Sequence, residues 1–252
     1  MAKVPPDRPR ETSPARAAIF SPIGDEGRAL LVERRITEAI RSGVLTDGER
    51  LPSEAELAQL FGVALVTARE ALVALRRHGL VTTVRGRNGG SFVTAPSGDA
   101  AADSRLAGMS RLELRDRGSY YTVVLTGCAE LAAARVDPAE VDYVRGLVPT
   151  DDTDDTLDLG AWRRAETEFY LAVAALTQSA RLTREVIRLE ADFGALLRLP
   201  LDDDEHRRAT GERLAALADA LAGGDPDTAR IVTRTQIREA LELLADLHAG
   251  VR

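Results

Sequence analysis

The stretch Leu51–Val93 leaves few folds open, because its helix signals are cut short by glycines and followed at once by strand signals. Pro52-Ser53-Glu54 marks a helix start with Ser53 as N-cap, and Glu56 completes the capping-box spacing. Leu57, Leu60 and Phe61 share one helical face, and Gly62 ends the run. A second helix begins after Val63, with Ala68, Ala71, Leu72 and Leu75 on its buried face and Gly79 as its stop. Two β-type runs follow, Leu80–Val84 and Ser91–Thr94, joined by Arg85-Gly-Arg-Asn-Gly-Gly90. Helix, short Gly-bearing turn and helix is the arrangement that offers its second helix to a DNA major groove, and the hairpin behind it reads as a wing.

Net charge runs against that reading until it is divided along the chain. The total is −7, but residues 1–98 carry 14 Lys+Arg against 11 Asp+Glu, or +3, which leaves 33 − 14 = 19 basic and 40 − 11 = 29 acidic residues, or −10, for the rest. Within the second helix and wing, Arg69, Arg76, Arg77, Arg85 and Arg87 have only Glu70 as acidic company. A local basic surface supplies the phosphate attraction while an acidic remainder suppresses non-specific sticking.

The 252 residues suffice for one large or two ordinary domains. Residues 1–24 have no apolar core of a secretory signal and are Pro-, Arg- and Ser-rich, so a flexible tail and a cytoplasmic address are expected. No run approaches the ~20 apolar residues of a membrane span. Cys128, the single cysteine, sits among Leu125, Ala129 and Leu131 and reads as a core residue. Residues 25–95 make the first domain, opened by a helix over Arg28–Ser42 that Gly43 stops. Residues 96–109 lose periodicity and read as a linker. Residues 110–252 read helical throughout, in segments Leu112–Arg135, Glu140–Leu147, Ala161–Thr177, Ala180–Leu197, Asp203–Ala222 and Pro226–Ala249. The expected fold class is mainly α: an N-terminal winged helix-turn-helix with a small β-hairpin, then an all-α bundle.

The first domain resembles the winged helix of the GntR family of transcription regulators. The resemblance rests on Asp47-Gly48, Arg50-Leu51-Pro52-Ser53-Glu54, Glu56-Leu57-Ala58, Gly62-Val63, Arg69-Glu70-Ala71-Leu72, Gly79-Leu80 and the wing Gly86–Val93. The helical remainder is similar to the FCD domain of the FadR subfamily. This likeness implies a non-enzymatic regulator, a repressor by default, whose partners are double-stranded DNA with a palindromic operator, a second copy of the chain and a small-molecule effector, with organic acids as the expected class. It further implies that effector binding reorients two winged helices through the segment near Ala95–Ala107.

The DNA-contact set expected from these motifs is Ser53, Thr67 and Arg69 on the helices, with Arg85, Gly86, Arg87, Asn88, Gly89 and Gly90 in the wing. Where many family members have Arg, and Ser-Arg or Thr-Arg, this chain has Ala55 and Ala64-Leu65, so Arg69 and the wing carry more of the binding. Many FCD domains hold a metal with one Asp and three His. The nearest counterparts here are Glu166 and Tyr170, with the two later positions near Leu214 and at Gln236. A carboxylate, a phenol and an amide are a poor zinc set, so no metal or other cofactor is expected, and Glu166, Tyr170 and Gln236 are expected to face an effector pocket instead. His206, among acidic neighbours at a helix start, reads as a surface residue, whereas Trp162, Phe169 and Phe193 read as core.

Three rival motifs fare less well. Gly86-Arg-Asn-Gly89 has the spacing of a KH-domain loop, but its flanks read as strands rather than helices. A phosphate-binding P-loop needs a Gly-Lys-Ser/Thr ending, which is missing. Asp151-Asp-Thr-Asp-Asp155 fits the DDxxD pattern of all-α Mg²⁺-dependent diphosphate enzymes, but it follows Pro149 with no helical apolar face and has no second copy. An acidic loop is the better reading.

Overall fold

Helix α1 (Arg28–Arg41) places Val32, Ile36, Ala39 and Ile40 on one buried stripe, the i, i+4, i+7, i+8 spacing of an amphipathic helix. It packs on α3 (Leu65–Arg77), against which α2 (Glu54–Phe61) also packs, in a computed structural model that describes residues 20, 27–86, 89–94, 99–135, 138–149 and 159–250. The wing tip Arg87-Asn88 and the run Asp151–Asp155, both singled out above, lie outside the described residues.

Ser53 caps α2 as expected. Its hydroxyl accepts from the Glu56 amide at 3.3 Å, and the Glu56 carboxylate accepts from the Ser53 amide at 2.7 Å. Gly62 then takes φ 65°, a left-handed conformation that costs glycine little, and the chain turns by 112° into α3. Leu57, Phe61, Ala68, Leu72 and Leu75 complete the core with α1. Strands β1 (Val81–Val84) and β2 (Gly90–Val93) pair antiparallel with Val81 opposite Val93 and Val84 opposite Gly90. Arg50 extends the pairing by one bridge to Phe92. Phe20, placed in the tail by sequence, is buried and meets Phe61 edge-on with ring centroids 5.5 Å apart.

The segment read as a linker contains a helix, α4 (Asp99–Gly108), which buries Ala102 and Leu106. Its alanines favour helix without producing a strong apolar stripe, so periodicity alone does not reveal it. The bundle follows: α5 (Arg111–Ala133), α6 (Pro138–Arg145), α7 (Leu159–Leu176), α8 (Ala180–Leu189), α9 (Asp204–Ala222) and α10 (Pro226–Gly250). Helix α5 packs along α10 and α7, and α9 lies on α10. The expected helix Ala180–Leu197 is interrupted. A π-helical turn, Glu190–Gly194, follows α8, and a single turn of α-helix and a 3₁₀ turn, Leu199–Asp202, lead into α9. Cys128 is fully buried and its thiol is pushed up by burial to about 11, as a core cysteine should be. Trp162, Phe169 and Phe193 are likewise core residues. Among the described residues, no single helix is long and apolar enough to cross a membrane.

Candidate DNA-binding face and effector pocket

With Ala68, Ala71, Leu72 and Leu75 turned into the core, the opposite side of α3 is open to solvent. Arg69 is exposed there, and its Nε donates to Glu54 Oε2 at 2.9 Å. That partner was not anticipated, since Glu54 lies on the preceding helix. Thr67 is half-buried and Ser53 exposed, with the Ser53 hydroxyl already engaged in the cap. The N-terminus of α3 has no side-chain cap, because Ala64 stands at the N-cap position, and Leu65 and Val66 are exposed beside it. Such an end combines free amide donors with apolar surface, a pairing suited to phosphate and thymine methyl contacts.

The wing is braced from behind. Arg50 Nη2 donates to the Gly89 carbonyl at 2.8 Å and Arg76 Nη1 to Thr83 Oγ1 at 3.2 Å. Arg85 is exposed on the turn beside Gly86. At Gly89 a Cβ would sit 2.5 Å from the Val84 carbonyl oxygen, so only glycine fits the closed turn. Ser53 thus stands at the start of α2, Thr67 and Arg69 on α3 and Arg85 on the wing turn, and Gly86, Gly89 and Gly90 shape the turn between the strands.

In the bundle, Trp162, Glu166 and Tyr170 lie at i, i+4 and i+8 on one stripe of α7, all buried. Trp162 Nε1, Glu166 Oε2 and Tyr170 Oη each lack a hydrogen-bond partner. Glu166, Tyr170 and Gln236 do meet, lining one internal cavity of about 10 Å³ with Tyr121, Gly194 and Arg198. Burial pushes the Glu166 carboxyl up to about 7; Arg198 opposes this shift and Glu190 adds to it. Burial, then the Glu166 and Glu190 carboxylates, raise the Tyr170 phenol well above its ordinary value. Gln236 is already committed, donating to Thr210 Oγ1 at 2.8 Å and accepting from Arg213 Nη1 at 3.3 Å.

At the centre is an ion pair that sequence reading missed. Arg198 Nη1 donates to Glu190 Oε2 at 2.5 Å with both side chains buried, and Tyr121 Oη donates to the other Glu190 oxygen. Burial works against the Arg198 charge, but Glu190 and Glu166 outweigh it and hold its pKa up. Gly194 makes the pair possible, because a Cβ there would lie 2.2 Å from Glu190 Oε2. The available signal was a glutamate at a core position, following Val186 by one helical turn on an otherwise apolar face. His206, read as a surface residue, is instead buried, with Nε2 unpartnered and its pKa lowered by burial and then by Arg213. Its acidic neighbours cap the helix start, and one turn of α9 carries the ring inward; Asp203 Oδ1 accepts from the His206 amide at 2.7 Å.

A metal does not fit this interior. Its carboxylate, phenol and amide lack the nitrogen and sulfur donors zinc favours, and a buried guanidinium already supplies positive charge beside them. Among the described residues no group of three or more His, Cys, Asp or Glu side chains could hold an ion.

Comparison with known proteins agrees with both halves of this architecture. Residues 29–93 match the family described as bacterial regulatory proteins, gntR family, and residues 122–239 match the FCD domain. A protein named as an HTH-type transcriptional regulator, RmpR, of Mycobacterium gastri is 34% identical over 240 residues, covering 93% of this chain and 86% of its own. The chain belongs to the GntR family. Its FCD domain places this GntR regulator in the FadR-like subfamily, whose members are DNA-binding transcription regulators and not enzymes. The HTH-type transcriptional repressor NanR of Citrobacter rodentium is 27% identical over 244 residues, 92% of each chain. A solved GntR-type regulator from Rhodococcus sp. RHA1 has 23% identity and a TM-score of 0.47, covering 87% of this chain and 98% of its own.

Proposed function

We propose that this GntR-family chain is a homodimeric, cytoplasmic repressor whose operator affinity is set by a small organic acid bound in the bundle of residues 110–252 and transmitted to the winged helix of residues 25–95. The observation that carries the effector reading is the α7 stripe. Each buried polar group without a partner costs about 1–3 kcal/mol, and Trp162, Glu166 and Tyr170 present three of them in one row. With its carboxyl raised to about 7, Glu166 is largely protonated below neutrality. Protonated, it joins the Tyr170 hydroxyl as a donor in the cavity that both line, and two adjacent donors suit a carboxylate ligand. The cavity holds about 10 Å³, room for one water at most, so an effector must part α7 from α10 to enter.

Transmission follows from where the π turn sits. Glu190 holds Arg198 and Tyr121, which line the cavity, whereas Asp192, two residues on, accepts from Arg105 of α4 and from Arg117 Nη1 of α5, the latter at 2.6 Å. Helix α1 of the winged helix packs on the same turn. A ligand that displaces the Glu190–Arg198 pair therefore acts on the surface that α1 rests on. It shifts DNA affinity only if it binds the two arrangements unequally.

On the DNA side, Thr67 and Arg69 would read or position the major groove, with Ser53, Arg85, Arg87, Asn88 and Gly86, Gly89 and Gly90 at the backbone and minor groove. A two-fold dimer would match a palindromic operator, and the repressor default accords with NanR's printed role. A thermal-shift screen of organic acids, followed by gel shifts on DNA upstream of the chain's own gene, tests the proposal. The expected hit stabilises the wild type, releases DNA and loses its effect in Tyr170→Phe. A hit that acts equally on Tyr170→Phe and Glu166→Gln would place the effector elsewhere.

A further inference from the structure

A second cavity, separate from the α7 stripe, opens where the two domains meet. Arg34 and Arg35 of α1 face Arg181, Arg184 and Arg188 of α8 across a cleft of about 230 Å³. Among the described residues only two acidic ones, Glu38 and Glu185, line it, so the formal charge of this lining is 5 − 2 = +3. Both are already engaged. Glu185 accepts from Arg188 Nε at 3.1 Å and from Tyr120 Oη at 2.8 Å, and Glu38 lies 3.8 Å from Arg34. Arg35 is half-buried, and its pKa is lowered first by burial and then by Arg184 from the other domain. The junction therefore brings like charges together.

Such a surplus could be a solvated surface or a track for the DNA backbone, and the geometry disfavours both. These charges are gathered in a recess between two packed helices, one of them carrying the half-buried Arg35. Arg34, Arg35 and Glu38 also lie on the flank of α1 away from Val32, Ile36 and Ile40, which face the core shared with α3. The cleft thus opens on the effector-domain side, not on the exposed face of α3.

We propose that this interdomain cleft binds a compact polyanion bearing two or more phosphate or carboxylate groups, and that the ligand clamps α1 of the winged helix to α8 of the effector domain. Planar guanidiniums fork onto oxyanions bidentately, and arginines from both sides would share one ligand. The volume is below the ~300–1,000 Å³ of pockets for drug-sized ligands, which points to a small, charge-dense molecule. By bridging the domains such a ligand would favour this arrangement over others, a control separate from the α7 pocket.

Calorimetric titration of the full chain with pyrophosphate and with citrate, at matched ionic strength, tests the assignment. Saturable binding of either is expected, weakened about tenfold or more in Arg35→Ala/Arg184→Ala by loss of charge-assisted bonds. Tighter pyrophosphate would identify phosphate as the recognised group, and tighter citrate would identify carboxylate. Arg181→Ala, an exposed change on α8, gives an independent weakening if the double variant folds poorly. Absence of titration by both ligands, or undiminished affinity in the variants, overturns the proposal. So does a double variant that binds operator DNA more weakly in anion-free buffer, which would make the cleft a DNA contact.

Discussion

Single side chains carry the strongest departures from ordinary chemistry, and Glu166 is the most testable. Its carboxyl moves from 4.5 to about 7 on folding, chiefly by burial. A carboxyl raised in the folded state binds more protons there than in the unfolded chain. Its stabilising contribution is therefore complete below pH 4.5 and is lost as pH rises through about 7. Glu166→Gln should flatten the fall in melting temperature between pH 5 and 8, and should be more stable than wild type at pH 8. Parallel curves for the two proteins would exclude this ionisation as the cause. Arg69 poses the opposite case, an exposed charge held to Glu54. Exposed pairs of this kind are worth about 0–1 kcal/mol, so Arg69→Ala should leave unfolding nearly unchanged. It should weaken operator binding and reduce the salt slope by about 1 if Arg69 meets a phosphate; an unaltered slope and affinity would remove it from the interface. Residue-level reading of the sequence found Glu166, Tyr170 and Gln236 through the family's positions, and they share one cavity. It missed Glu190 and Arg198 because a charge at a core position argues against burial until its partner is known, and that partner lies across an irregular turn.

Most regular elements were legible, helix α4 in the expected linker being the exception. The Ser53–Glu56 cap, the Gly62 turn and the paired strands all follow from local chemistry that a single sequence displays. What was not legible is the break after Leu189, because a π turn keeps the apolar spacing nearly helical while adding one residue to the turn. That irregularity is where the cavity, α4 and α1 converge, in keeping with the frequent placement of π turns at functional sites. Gly194 tests it directly. A Cβ there would meet Glu190 Oε2 at 2.2 Å and Arg198 Nη1 at 3.1 Å, forcing the buried pair apart. Breaking such a pair costs about 3–5 kcal/mol, so Gly194→Ala should lower stability by about 3 kcal/mol in chemical denaturation. A loss under about 0.5 kcal/mol, the range of neutral surface changes, would mean that the pair does not need this close approach.

At the scale of the whole molecule, the charge split read from sequence becomes a division of labour. Residues 1–98, with their net positive charge, carry the exposed face of α3, and the acidic remainder carries the buried stripe of α7. A single copy still leaves an uncovered surface. Leu112 and Val123 on α5 are 77% and 70% exposed. They stand eleven residues apart, three helical turns, and so share one face. Two large apolar side chains aligned on the first bundle helix are what a two-fold partner would cover, repeating the same patch on both copies. Val123→Glu should then shift the protein from dimer to monomer in sedimentation velocity at micromolar concentration. Its melting should lose only the concentration-dependent part that association adds, because within one copy the side chain is already in solvent. Operator affinity should fall far more than in any single wing variant, since a monomer occupies one half-site and loses the second contact surface entirely. A Val123→Glu protein that stays dimeric would move the interface off this face of α5. A monomeric variant with full operator affinity would instead remove dimerisation from the mechanism, because one winged helix would then suffice.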